Sequence, residues 1–219
     1  MIKYNTFIFD FDYTLADATP GIVKCVNYAL EQAGLKSEST DNIRKTVGMA
    51  LPEMFCELTG IDDDKMAEQF KSDFLKLADD IMTECTSLLP DTISILTQLK
   101  QHGYNTAIVS TKLRYRIDDA LQKFGIQNLI DIIIGLEDVT VPKPSPEGLL
   151  KAIAFFKVEK SFVLYIGDSL IDANTAKNAD VDFAAILTGT TKIEEFIKLP
   201  HKYITKNLTE LLQSMENTE

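Results

Sequence analysis

The sequence lacks the features that would tie it to a membrane, a disulfide scaffold or a nucleic acid. Nowhere does an apolar stretch approach the roughly 18 residues that a spanning helix needs, so no membrane contact is expected. The first apolar run, Phe7 to Phe11, is short and already interrupted by Asp10, which argues against a secretory leader and makes the cytoplasm the expected location. The three cysteines, Cys25, Cys56 and Cys85, are odd in number, widely spaced and form no CxxC pair. They are expected to be reduced and buried as small apolar groups. There is no Lys/Arg block: 22 basic against 33 acidic side chains give a net charge of −11, which repels nucleic acid and anionic lipid. Internal repeats and low-complexity linkers are also missing.

What is present is an ordinary globular composition, 45% hydrophobic and 25% charged, over 219 residues. That length suits one large domain and a small one. Runs rich in β-branched and aromatic residues recur at 6–9, 104–109, 132–134, 162–166 and 183–187. Between them, helical spacing appears at 91–102, 113–124, 146–156, 171–178 and 193–199. Short, nearly continuous apolar strands alternating with amphipathic helices predict an α/β fold with a parallel sheet covered on both faces. Gly34, Gly103 and Gly125, each followed by an apolar residue, mark helix stops.

The alternation breaks between Asp17 and Cys85, where four helical stretches (21–33, 40–47, 51–58 and 64–83) occur without a strand. We read 17–84 as an inserted all-helical cap and 1–16 with 85–219 as the core. Pro90 marks re-entry, Asp91 is the expected N-cap of the next helix, and the terminal MENTE is expected to fray.

Chemistry enters with FIFDFDYTL at 7–15, where Asp10 and Asp12 end an apolar run. Two unit charges ~4 Å apart repel by roughly 4 kcal/mol at an effective dielectric near 20, so such a pair invites a cation or a shared proton. One Asp alone would be a turn former. Three further polar pieces come after later strands: Ser110, Thr111 and Lys112 after the second, Lys143 in the loop VPKPSP after the third, and Asp168 and Asp172 within GDSLID after the fourth. In an open parallel sheet all four gather at the C-terminal strand ends, where ligands bind.

In this order and spacing, D10FD12YTL, hydrophobic-S110, K143PSPE and GD168SLID172 resemble the four motifs of the haloacid dehalogenase superfamily, as in its phosphoglycolate phosphatase and pyrophosphatase-like members. The resemblance covers nearly the whole chain and implies a Rossmann-like, doubly wound core. It implies Asp10 as a nucleophile forming an aspartyl phosphate, and Asp12 as the acid that protonates the leaving oxygen and then takes a proton from water. Asp12 would need a raised pKa, which crowding by carboxylates can supply. Mg²⁺ would be held by Asp10, the backbone carbonyl of Asp12 and Asp168. Asp172 would stand behind the metal, holding a metal-bound water or pairing with Lys143. Ser110, the N–H of Thr111 and Lys143 would bind the phosphoryl oxygens, while Lys112 either reaches the substrate or faces water.

Two residues depart from the commonest pattern. Tyr13 replaces a frequent Gly after the second acid, where it either touches the leaving group or packs, and Asp180 stands where Gly often follows AxNA. Substrate choice is expected from the cap, with Arg44 and Met49 as candidates beside their plain reading as a solvated helix end and a packed side chain. The expected function is a Mg²⁺-dependent phosphatase for a small phosphorylated metabolite, 2-phosphoglycolate foremost, acting as a monomer or homodimer. Alternatives are an inorganic pyrophosphatase and a β-phosphoglucomutase-like mutase. Asp12 argues against a dehalogenase. A phosphonate-cleaving relative would need a cap Lys that does not follow Gly48 and Met49. An idle binding domain would be expected to lose Asp10, Asp12 or Lys143.

Overall fold

A computed structural model describes residues 3–217. The chain divides into two compact units, one formed by 1–16 and 88–219 and the other by 17–87.

The smaller unit consists of α1 (Thr19–Gln32), α2 (Thr40–Thr46), α3 (Leu51–Thr59) and α4 (Asp64–Ile81). Its helices start where capping chemistry says they should: Ser39 accepts from Asn42 N–H, and Asp63 accepts from Lys65 and Met66 N–H. Val26, Leu30, Ile43, Phe55 and Phe70 form its apolar centre. Cys25 is buried there, whereas Cys56 and Cys85 are only half-buried, so the expected burial holds for one cysteine of the three.

In the larger unit the β-branched runs become β1 (Thr6–Phe9), β4 (Asn105–Val109), β5 (Ile132–Ile134), β6 (Val163–Gly167), β7 (Asp182–Ile186) and β8 (Tyr203–Thr205). The two-residue strands β2 (Ala16–Asp17) and β3 (Ser87–Leu88) pair with each other, and Ala16 also bridges Asp12. The main sheet runs β5-β4-β1-β6-β7-β8, and its strands pair in parallel. Successive side chains alternate between its faces. Phe7, Phe9, Leu164 and Ile166 meet α5 (Thr92–Gln101), α6 (Arg114–Lys123) and α10 (Leu208–Asn217) on one side. Ile8, Val163 and Tyr165 meet α7 (Glu147–Phe156), α8 (Leu170–Ala179) and α9 (Ile193–Phe196) on the other. α5 and α6 stop at Gly103 and Gly125, both at positive φ, and Tyr104 and Ile126 N–H bond back to Leu99 and Leu121.

Strand order reverses at β1, which lies between β4 and β6. A crevice forms at such a switch point beyond the strand ends. The paired register aligns Phe9 with Ile108 and with Ile166, so the residues that follow each strand emerge side by side.

Three expectations are corrected. The C-terminal segment carries an unforeseen strand and helix, β8 and α10, and the tail does not fray at Met215: Leu208, Leu211, Leu212 and Met215 form one buried stripe. The last two residues of MENTE lie outside the described residues. Asp91 is the N-cap residue of α5 as expected, but its side chain makes no capping bond; its carboxylate accepts from the N–H and hydroxyl of Thr209 in α10 instead. No described helix is long and apolar enough to cross a membrane.

Candidate active site

Asp10 directly follows β1, and its N–H donates to the carbonyl of Ile166 on β6 at 2.9 Å. Ser110 follows β4, and Asp168 follows β6. Lys143 comes from the loop between β5 and α7, preceded by Pro142 and followed by Pro144, which restrict its backbone. Four separate segments of chain thus deliver polar groups to the end of β1.

Lys143 is the hub. Its ammonium lies 3.0 Å from Asp10 Oδ1, 2.6 Å from Asp172 Oδ1 and 3.1 Å from the Tyr165 hydroxyl. These side chains are 5% exposed for Lys143, 6% for Asp10 and 0% for Asp172, so the charges meet with little solvent screening. Burial disfavours the ammonium, but Asp10 and Asp172 outweigh it and raise its pKa well above the usual lysine value. Lys143 is therefore a fixed cation and not a proton donor at neutral pH.

Asp172 is held on both oxygens. Oδ1 meets Lys143 and accepts from Tyr165 at 2.9 Å, while Oδ2 accepts from the Ser169 hydroxyl at 2.6 Å and its N–H at 3.2 Å. Ser169 in turn caps α8 through Asp172 N–H, completing a capping box. One carboxylate starts the helix and anchors the lysine.

Asp10, Asp168 and Asp172 each offer an oxygen within 4.8 Å of the others. Three carboxylates against one ammonium leave two negative charges in a buried space when all are ionised. The strain is visible in their protonation. Burial pushes Asp10 up to about 6 from 3.8, with Asp172 adding to the rise and Lys143 and a hydrogen bond from Ser110 opposing it. Burial, then Asp172 and Asp10, raise Asp168 well above the carboxylate range, against Lys143 and a hydrogen bond from Thr14. Asp10 Oδ1 is buried, and Lys143 meets it without hydrogen-bond alignment. An all-oxygen, doubly negative set of this kind fits a hard divalent cation.

Asp168 is fixed from two sides: Thr14 Oγ1 donates to Oδ1 at 3.2 Å, and Gly189 packs so closely that an added Cβ would overlap its carboxylate. Gly167 leaves room for Asp172 in the same way.

Asp12 is not one of this group of three carboxylates. Both of its oxygens are held by Lys112, at 3.1 and 3.2 Å. Lys112 therefore does not simply face water. Thr111 lies between Ser110 and Lys112, half-buried.

Tyr13 has φ +59°, the left-handed region that explains why Gly is frequent at this place, and its side chain is buried. Its backbone is tied down at both ends: its N–H donates to Ala16 at 2.6 Å and its carbonyl accepts from the Thr188 hydroxyl. Arg44 in α2 and Met49, in the turn after it, are half-buried residues of the helical unit, and Met49 packs against that unit's apolar centre.

Sequence reasoning missed Tyr165, Thr14, Ser169 and Gly189. Tyr165 had a usable signal: a lone hydroxyl in the apolar strand VLYIG needs a partner once buried.

The sequence model for haloacid dehalogenase-like hydrolases matches residues 7–186. A phosphoglycolate phosphatase of Rhodobacter capsulatus is 32% identical over 197 residues, covering 89% of each chain. The pyrophosphatase PpaX of Listeria monocytogenes is 26% identical over 218 residues, covering 99% of each. A solved structure from Bacteroides fragilis, described as a haloacid dehalogenase-like hydrolase, is 45% identical with a TM-score of 0.92, over 95% of this chain and 99% of that one.

Proposed function

Since this chain belongs to the haloacid dehalogenase-like hydrolase family, we propose that it is a Mg²⁺-dependent phosphatase acting on a small phosphorylated metabolite through a phosphorylated Asp10. The observation that carries this reading is the shared ammonium of Lys143, which joins Asp10, at the end of β1, and Asp172, in the first turn of α8, in one buried cluster.

In the proposed reaction an Asp10 oxygen attacks phosphorus, and the bond from phosphorus to the leaving oxygen breaks. Asp12 gives that oxygen its proton. Water then attacks the aspartyl phosphate, Asp12 takes its proton, and Asp10 is regenerated as phosphate departs. Ser110, the N–H of Thr111 and Lys143 hold the phosphoryl oxygens, and their direction is set before substrate arrives. Asp172 and Tyr165 act through Lys143 by fixing its ammonium. Asp10, the backbone carbonyl of Asp12 and Asp168 would hold Mg²⁺, which when bound neutralises charge on the carboxylates and the phosphoryl group.

2-Phosphoglycolate is the leading substrate, supported by the phosphoglycolate phosphatase relative. Pyrophosphate is the second, supported by the likeness to PpaX over nearly the whole chain. Discrimination between phosphate esters is assigned to the helical unit, with Arg44 and Met49 as candidates and Tyr13 beside the nucleophile. The test is phosphate release from both compounds with and without Mg²⁺. Asp10→Asn should abolish release, by a factor of about 10³ or more; unchanged turnover would refute the assignment.

A further inference from the structure

Lys112 is a charged residue that the proposed reaction does not use, yet its position is built rather than accidental. Its backbone is pinned on both sides, its N–H donating to Ser110 Oγ at 3.3 Å and its carbonyl accepting from Leu136 N–H at 3.1 Å. Its ammonium lies 5.6 Å from the centre of the Phe11 ring and grips both oxygens of Asp12. The side chain is 8% exposed and that of Asp12 14%, against 5% for Lys143 and 6% for Asp10.

Two lysines thus divide the site. Lys143 sits on the nucleophile side, hydrogen-bonded to Asp172 and Tyr165 and ion-paired with Asp10. Lys112 sits with the acid, Asp12. An ammonium carries three N–H groups, and Asp12 engages two oxygens' worth of them. If Asp12 hands its proton to the leaving oxygen, that oxygen comes within hydrogen-bond reach of Asp12. Whatever group is attached to the leaving oxygen one or two bonds away then falls beside Lys112.

Resting on the phosphatase reading above, we propose that Lys112 is a substrate-specificity residue that binds an anionic group on the leaving side of the substrate. The chemical class is a phosphate whose leaving group carries its own negative charge, such as the carboxylate of glycolate or the second phosphate of pyrophosphate. A globally acidic protein with a net charge of −11 needs a local cation to accept a ligand with two anionic groups. Lys112 meets that need where Lys143 cannot, because Lys143 faces the group being transferred.

The test compares 2-phosphoglycolate with 2-phosphoglycolamide, which differ by one charge on the leaving group, with pyrophosphate as a further charged substrate. Wild-type protein should favour the acid over the amide by about tenfold in kcat/KM, as expected for one charge-assisted hydrogen bond. Lys112→Gln should lower kcat/KM about tenfold or more for the charged substrates, mainly through KM, and less than about threefold for the amide. Lys112→Arg keeps the charge and should retain most of the preference. An equal loss on acid and amide in Lys112→Gln would overturn the proposal, since it would mean that Lys112 only orients Asp12. A wild-type acid-to-amide ratio near one would overturn it without any variant. Phosphate release from none of the three compounds would instead refute the phosphatase reading itself.

Discussion

At the scale of single residues, the acids of the site oppose folding when no cation is present. Asp10 titrates near 6 against 3.8 for an ordinary Asp, because burial and Asp172 outweigh Lys143 and Ser110. Asp168 is raised as well, chiefly by burial and then by its acidic neighbours. A carboxyl whose folded pKa exceeds its unfolded one favours the folded state below the unfolded value and loses that contribution as pH rises. The metal-free protein should therefore lose stability as pH climbs from 3.8 through about 6. Asp168→Asn removes one of the repelling charges at nearly constant shape. Its metal-free form should melt higher than the parent at neutral pH, by roughly 3 °C for each ~1 kcal/mol relieved in a chain of this length. Its melting temperature should no longer rise on adding Mg²⁺. Scanning calorimetry in chelator and in Mg²⁺ checks both points, and a lower melting temperature in chelator would contradict the account. Most of the cluster was legible, since Asp10, Ser110 and Asp168 each come at the end of an apolar run, Asp172 lies one helical turn beyond Asp168, and Lys143 is flanked by prolines in the loop after β5. Tyr165 and Thr14 were not, because what they do depends on which hydroxyl faces which carboxylate.

At the scale of elements, the five strands with clear β-branched runs stand out in the sequence, and β8 does not. Tyr203–Thr205 is only three residues long at the edge of the sheet, too short for any periodicity to show. α10 was hidden by its polar ending, although its apolar residues keep helical spacing. Asp91 shows the limit of local capping rules: its best partner is Thr209, far along the chain. Tyr13 and Asp180, the two departures from the commonest pattern, both occupy left-handed backbone, at φ +59° and +57°. Asp180 is exposed and ends α8, so nothing offsets that conformation by burial. Asp180→Gly should stabilise the protein by about 0.5–1 kcal/mol in chemical denaturation, with activity unchanged. Destabilisation would mean that the Asp180 side chain has a structural use of its own.

At the scale of the whole molecule, an acidic chain assembles a small, buried group of opposed charges at the one place where its strand order reverses. The switch point explains why residues as distant as 10, 110, 143 and 168 meet, and four-motif spacing is the trace of that topology in the sequence. The helical unit between residues 17 and 87 has its own apolar centre. The central claim is that Asp10 itself carries the phosphoryl group. Quenching the protein in acid during turnover of 2-phosphoglycolate or pyrophosphate with Mg²⁺, then weighing the peptide that spans residues 7–15, tests it directly. The account predicts that the peptide gains the mass of one phosphoryl group on Asp10, removable by hydroxylamine and absent from Asp10→Asn. Steady turnover with that peptide unmodified, or with the label on another residue, would contradict it.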